Sequence, residues 1–212
     1  MRGDDDVGRV SVLWKRRDPV HTGCYEEDMD APSSAVCPAR FAWVIDNPLR
    51  RRLHNSETIL GGLVAPGSTV LDLGCGSGVF TVALARRVGP SGRVIAADLQ
   101  PAMLAKVQQR VVRAELQDRV ALHVCAPGRV GLSARVDFVL AFWMVHEVPS
   151  AAALFAEMHE TLNPEGKLLL VEPRLHVPRR VFQAEVDAAL RANFKLLTQP
   201  SVRLSRAGLF GK

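Results

Sequence analysis

Val70-Leu-Asp-Leu-Gly-Cys-Gly-Ser-Gly78 is the stretch on which the fold turns. The apolar run 70–73 reads as a buried strand, and the glycines at 74, 76 and 78 read as a turn that leads into a helix. Glycine lets the backbone approach a ligand where a Cβ would clash. Asp98 lies twenty positions beyond Gly78, at the end of a second apolar run. An acid there is placed to grip ribose hydroxyls.

The glycine spacing is G-x-G-x-G, with Val79 in place of a later glycine. The dinucleotide fingerprint G-x-G-x-x-G is therefore not met, and no Gly-Lys-Ser/Thr follows to make a P-loop. Asp72 adds a carboxylate just before the turn, on the expected ligand side. It would repel a pyrophosphate but not a cationic amine or sulfonium. The charge pattern thus favours a ligand with a positive end and a ribose.

The 212 residues suffice for one α/β domain with an extension, and 48% hydrophobic residues suit a globular core. No apolar run reaches the roughly 18–20 residues of a membrane span. Met1-Arg-Gly-Asp-Asp-Asp6 lacks the apolar centre of a signal peptide, so a cytoplasmic location is expected. Cys24, Cys37, Cys75 and Cys125 form no C-x-x-C pair. Reduced thiols are expected, with neither a disulfide scaffold nor a metal site. Net charge is +5, but residues 1–40 carry six basic and eight acidic side chains. Arg50-Arg51-Arg52 is the densest basic run. It suits a solvated helix face, and secondarily a phosphate-bearing partner or RNA.

Residues 1–36 form a polar leader, expected to be mobile, with a short strand at Val10–Leu13. Residues 37–63 read as a helical lid in two pieces, with Pro48 starting the second and Phe41, Val44 and Ile45 on an apolar face. Residues 64–212 are expected to form the catalytic domain. Its strands are predicted at Thr69–Leu73, Arg93–Ala97, Val120–Cys125, Val136–Phe142 and Lys167–Glu172, closing with Phe194–Thr198 and Val202–Ser205. Helices are predicted at Phe80–Val88, from Pro101, at Ala151–Leu162 with Ser150 as N-cap, and at Arg179–Asn193. Asn163-Pro-Glu-Gly166 reads as a turn. Such alternation predicts a parallel sheet with helices on both faces. The last two strands have no helix between them, so they form a hairpin and one runs antiparallel.

The stretch 70–78 resembles motif I of the class I S-adenosylmethionine-dependent methyltransferases, and the likeness extends over roughly residues 40–212. It implies a Rossmann-like, seven-stranded, mostly parallel sheet in the order 3-2-1-4-5-7-6, with strand 7 antiparallel. S-adenosyl-L-methionine is the implied cofactor. The resemblance gives its methionine part to Asp72, Gly74, Cys75, Gly76 and Gly78, its ribose to Asp98, and its adenine to Leu99 and Met103. The adenine edge would fall near Cys125 and Ala126. No acid stands there, so its amine must use backbone carbonyls, a side chain elsewhere or water. Phe142 would meet the methionine end and the substrate, and the pattern (N/D)-P-P-(F/Y/W) of base-amine methyltransferases is absent.

His146 and Glu172 sit just past the ends of two strands, where open α/β sheets bind ligands. Either is a candidate base, His146 for a hydroxyl or an activated carbon acid, with His176 a weaker third. The chain most resembles small-molecule methyltransferases of the ubiquinone/menaquinone C-methyltransferase-like group. A small-molecule acceptor is therefore expected. The alternatives are an RNA methyltransferase, an arsenite or thiol methyltransferase holding a soft acceptor with Cys37 and Cys125, and a non-catalytic cofactor-binding protein.

Overall fold

The computed structural model describes residues 54–212. The leader, most of the expected lid, Arg50–Arg52, Cys24 and Cys37 lie outside the described residues.

The chain enters through a short helix α1 (Ser56–Leu60), whose first turn is capped by the Asn55 side chain accepting from the Glu57 N–H at 2.9 Å. Leu60 is fully buried and His54 nearly so, which anchors the described end of the 37–63 segment in the core. Seven strands follow: β1 (Thr69–Leu73), β2 (Arg93–Asp98), β3 (Val120–Val124), β4 (Val136–Phe142), β5 (Leu162–Pro173), β6 (Lys195–Thr198) and β7 (Ser205–Gly211). Between them stand α2 (Val79–Val88), α3 (Pro101–Arg113), α4 (Ala151–Thr161) and α5 (Arg179–Arg191). The sheet order is β3-β2-β1-β4-β5-β7-β6. The pairs β1–β2, β2–β3, β1–β4 and β4–β5 are parallel, and β7 runs antiparallel to both neighbours. The expected order and hairpin are both present.

Strand side chains alternate between two cores. Val70, Val94, Phe138, Leu140, Leu169 and Val171 meet α2 and α3 on one face. Leu71, Ile95, Val139, Leu168 and Leu170 meet α4 and α5 on the other. The stripes expected on the helices are buried: Phe80, Leu84 and Val88; Met103, Leu104, Val107 and Val111; Leu154, Phe155 and Met158, with Leu162 just beyond. Ser150 caps α4, its hydroxyl accepting from the Ala153 N–H at 3.2 Å. Among the described residues no helix is long and apolar enough to cross a membrane.

Two expected boundaries move. Residues 163–166 are not a connection ahead of β5 but lie inside it. Val136 pairs with Leu162 while Phe138 pairs with Lys167, so β5 carries a wide irregularity there. Pro164 has no N–H for the ladder, which explains both the turn-like sequence and the break in register. The last strand is Ser205–Gly211, not Val202–Ser205. Val202 instead closes a turn, its carbonyl accepting from the Ser205 N–H at 3.0 Å. Gly208 and Gly211 hide this strand from propensity, and the β5 register secures it from Lys167↔Gly211 to Pro173↔Ser205.

Candidate active site

The chain leaves β1 and returns through β2 and β3 on one side before crossing to β4 on the other. The carboxyl ends of β1 and β4 therefore flank a topological switch point, where open α/β sheets hold ligands. The glycine turn lies there.

Gly74, Gly76 and Gly78 all have left-handed φ, at 65°, 52° and 83°. A Cβ on Gly74 would come within 2.8 Å of the Met144 side chain. A Cβ on Gly76 would meet nothing, so that glycine faces open space and leaves the backbone bare to an incoming group. The Gly76 N–H donates to Asp98 Oδ2 at 2.9 Å, and the Gln100 N–H donates to Oδ1 at 2.9 Å. Asp98 thus holds the turn from the end of β2. A carboxylate has about four lone-pair sites, so both oxygens retain capacity for ribose hydroxyls. Burial pushes the Asp98 carboxyl up from its ordinary value, against the backbone N–H groups of Gln100, Gly76 and Leu99.

Asp72 is buried beneath the turn, where the Thr81 hydroxyl of α2 donates to its Oδ2 at 2.6 Å. Burial raises its pKa to about 7, with the Thr81 bond opposing and the Asp98 charge adding to the rise. Cys75 is buried, and its thiol is held protonated by burial and by the charges of Asp72 and Asp98. Met103 is buried and Leu99 half-buried beside Asp98 in sequence. The Cys125 N–H donates to the Asp98 carbonyl at 3.0 Å, and Ala126 bridges to Arg129 in the next turn.

At the end of β4 the two aromatic neighbours do not alternate as a strand would require. Trp143 lies beyond the strand with φ 61°. Its ring consequently stays on the same side as Phe142, with centroids 5.6 Å apart. Phe142 packs on Phe80 in the core at 4.4 Å, and the Trp143 indole N–H donates to Ser205 Oγ at 3.0 Å. His54 stands edge-on to both rings.

His146 and Glu172 come together although 26 residues separate them. Glu172 is fully buried at the end of β5. Its Oε1 accepts from the N–H groups of Val145 and His146 at 2.8 and 3.3 Å, and its Oε2 lies 2.6 Å from His146 Nδ1. Glu172 pins both the short 3₁₀ turn Val145–Glu147 and the imidazole that it carries. Burial would lower the His146 pKa. The hydrogen bond and charge of Glu172, joined by Glu147 and Glu185, outweigh it and hold that pKa above the ordinary value. His176 stacks edge-on against His146, ring centroids 4.9 Å apart.

Glu185 joins this group without having been singled out in the sequence. It is buried on the inner face of α5, and its Oε2 has no hydrogen-bond partner. Burial, then the charge of Glu172, pushes its pKa to about 8, with His146 opposing. The signal was available: Phe182, Glu185, Val186 and Ala189 share one helical face, an acid within an apolar stripe.

Residues 70–166 match the family described as "Methyltransferase domain". The chain is 31% identical over 123 residues to a demethylmenaquinone methyltransferase of Bacillus cereus, covering 58% of this chain and 52% of that protein. It is 31% identical over 108 residues to an arsenite methyltransferase of Halobacterium salinarum, covering 50% and 27%. A SAM-dependent methyltransferase structure from Aquifex aeolicus superposes with a TM-score of 0.74 at 21% identity, over 83% of this chain and 98% of that one. Residues 70–166 are thus similar to a methyltransferase domain, and the described chain has the fold of the class I S-adenosylmethionine-dependent methyltransferases. Its cofactor is that of the class, S-adenosylmethionine. The open face of Gly76 and the remaining acceptor capacity of Asp98 fit that group. The chain spans about half the length of the demethylmenaquinone methyltransferase relatives that it matches.

Proposed function

We propose that this methyltransferase moves a methyl group from S-adenosylmethionine to a small-molecule acceptor, with His146 as the base and Glu172 as the group that orients it. The observation carrying this reading is the 2.6 Å contact between His146 Nδ1 and a fully buried carboxylate. A carboxylate only accepts, so Nδ1 carries the proton and Nε2 is left to take one. S-adenosylmethionine supplies a methyl on a sulfonium, whose carbon–sulfur bond breaks as the acceptor's new bond forms.

The chain has four tasks around that displacement. The glycine turn 74–78 and Asp98 bind the methionine and ribose ends. Asp72 and Cys75 brace the turn from below. Leu99, Met103, Cys125 and Ala126 bound the adenine, and Phe142 with Trp143 forms an apolar wall that limits water. His146 removes the acceptor's proton, from a hydroxyl or an activated carbon, and Glu172 stabilises the imidazolium formed.

The menaquinone and arsenite relatives favour a small acceptor, and the thiol chemistry here speaks against arsenite or thiol capture by Cys125. Burial first, then Asp98 and Glu157, pushes its pKa up to about 11, so less of it is thiolate at neutral pH than of an ordinary cysteine. The test is transfer of labelled methyl to a panel of hydroquinones, phenols, thiols, arsenite and purified RNA. Label on a hydroquinone or phenol, with turnover reduced about 10²-fold or more in His146→Ala, is the expected result. Transfer to RNA alone, or unchanged turnover in His146→Ala, would overturn it.

A further inference from the structure

A cavity of about 270 Å³ opens between the start of α5, the turn after β5 and the loop leading into β7. Arg174, Arg179 and Arg206 line it, together with Gln183, Gln199 and Ser201. No carboxylate is among its described lining residues. None of the three guanidinium groups makes an ion pair among the described residues.

Two of the arginines are held by backbone rather than by acids. Arg174 Nε donates to the Ser205 carbonyl at 2.7 Å, and Arg206 Nη1 donates to the Val177 carbonyl at 2.8 Å. A guanidinium offers five N–H donors, so each keeps most of them for a further partner. Arg179 donates to no described residue. Three charges of one sign converge on a concave surface, and no carboxylate among its lining residues offsets their repulsion. An oxyanion bound among them would, and the planar fork of arginine matches such oxygens in pairs.

We propose that this cavity is a binding site for a phosphate group, either free or carried as a phosphate ester. A phosphate dianion offsets more of three positive charges than a single carboxylate does. The amide and hydroxyl side chains add neutral donors for its remaining oxygens. The volume lies just below the roughly 300–1,000 Å³ of whole-ligand pockets. The site therefore takes the charged end of a ligand and leaves the rest outside. It also adjoins the strand that carries the proposed orienting group: Arg206 pairs with Glu172 across β5 and β7, and Arg174 follows Glu172 by two residues.

The experiment is calorimetric titration of the full chain with inorganic phosphate, phenyl phosphate and acetate at matched ionic strength. Saturable binding of phosphate or phenyl phosphate is expected, weakened at least about tenfold in Arg179→Gln and unchanged in Arg180→Gln. A tighter phenyl phosphate assigns the site to an ester, and a tighter inorganic phosphate to the free ion. Either order supports the proposal. Absence of saturable binding, acetate binding as tightly as phosphate, or equal losses in the two variants would overturn it. The titration needs no methyl transfer, so its outcome is separate from that of the acceptor assay.

Discussion

Glu172 takes three hydrogen-bond donors into a site with no exposure to solvent, and all three come from Val145 and His146. Removing its charge should therefore act on His146 before anything else. With His146 as the base, the rate rises with pH through an apparent pKa above the ordinary histidine value. In Glu172→Gln the raising influences shrink while burial still lowers, so that limb moves to lower pH and the plateau falls. A pH–rate profile checks this, and an unshifted limb would remove Glu172 as the orienting group. The linkage has the matching sign. A histidine raised in the fold stabilises fully below its unfolded pKa of ~6.5 and loses that contribution as pH rises through the folded value. Glu185 acts with the same sign over a wider range of pH. Its pKa is about 8 in the fold against an unfolded value of about 4.3. Between those values the native state holds a proton that the unfolded chain has lost, so stability falls as pH rises. Thermal melts from pH 5 to 8 should show a flatter decline for Glu185→Gln than for the parent. Parallel declines would mean that Glu185 ionises within the fold. His146 and Glu172 were legible because strand ends mark the ligand side of such sheets. Their mutual bond was not legible, nor was Glu185, because both depend on how α5 lies over β5.

At the scale of elements, the chemistry of turns and caps carried furthest. Ser150 precedes an apolar stripe at helical spacing, and its hydroxyl does cap α4. Ser150→Ala should cost about 1 kcal/mol and lower the melting temperature by ~2–4 °C without changing cofactor affinity. Calorimetric melts of both forms measure this. The strand β1 and its glycine turn were readable to the residue because a buried parallel strand is a continuous apolar run. Reading failed where backbone and sequence chemistry part company. Pro164 and Gly166 look like a connection, yet the chain around them pairs with β4. Gly208 and Gly211 look like strand breakers, yet β5 pairs with both. Trp143 escaped strand alternation because it lies past the last paired residue in a left-handed conformation.

At the scale of the molecule, ligand and fold are linked. A ligand that binds only the native state adds about 2.7 kcal/mol at a hundred times its dissociation constant. S-adenosylmethionine at such excess should raise the melting temperature of the parent chain, and Asp98→Ala should lose most of the rise. An equal rise in that variant would take Asp98 out of cofactor binding. The sequence by itself determined the fold class, through apolar periodicity, and a ligand with a positive end and a ribose, through the glycines and the acids at strand ends. The strand order and the methyl donor came from the likeness of residues 70–78 to a family motif. Only the tertiary structure decided which polar groups meet. Asp72 turned out to be a buried brace bonded to Thr81, His146 became one half of a pair with Glu172, and three arginines converged on one cavity. Each of those meetings joins residues from separate elements. Their distances are set by how the helices pack on the sheet, and no spacing along the chain records that.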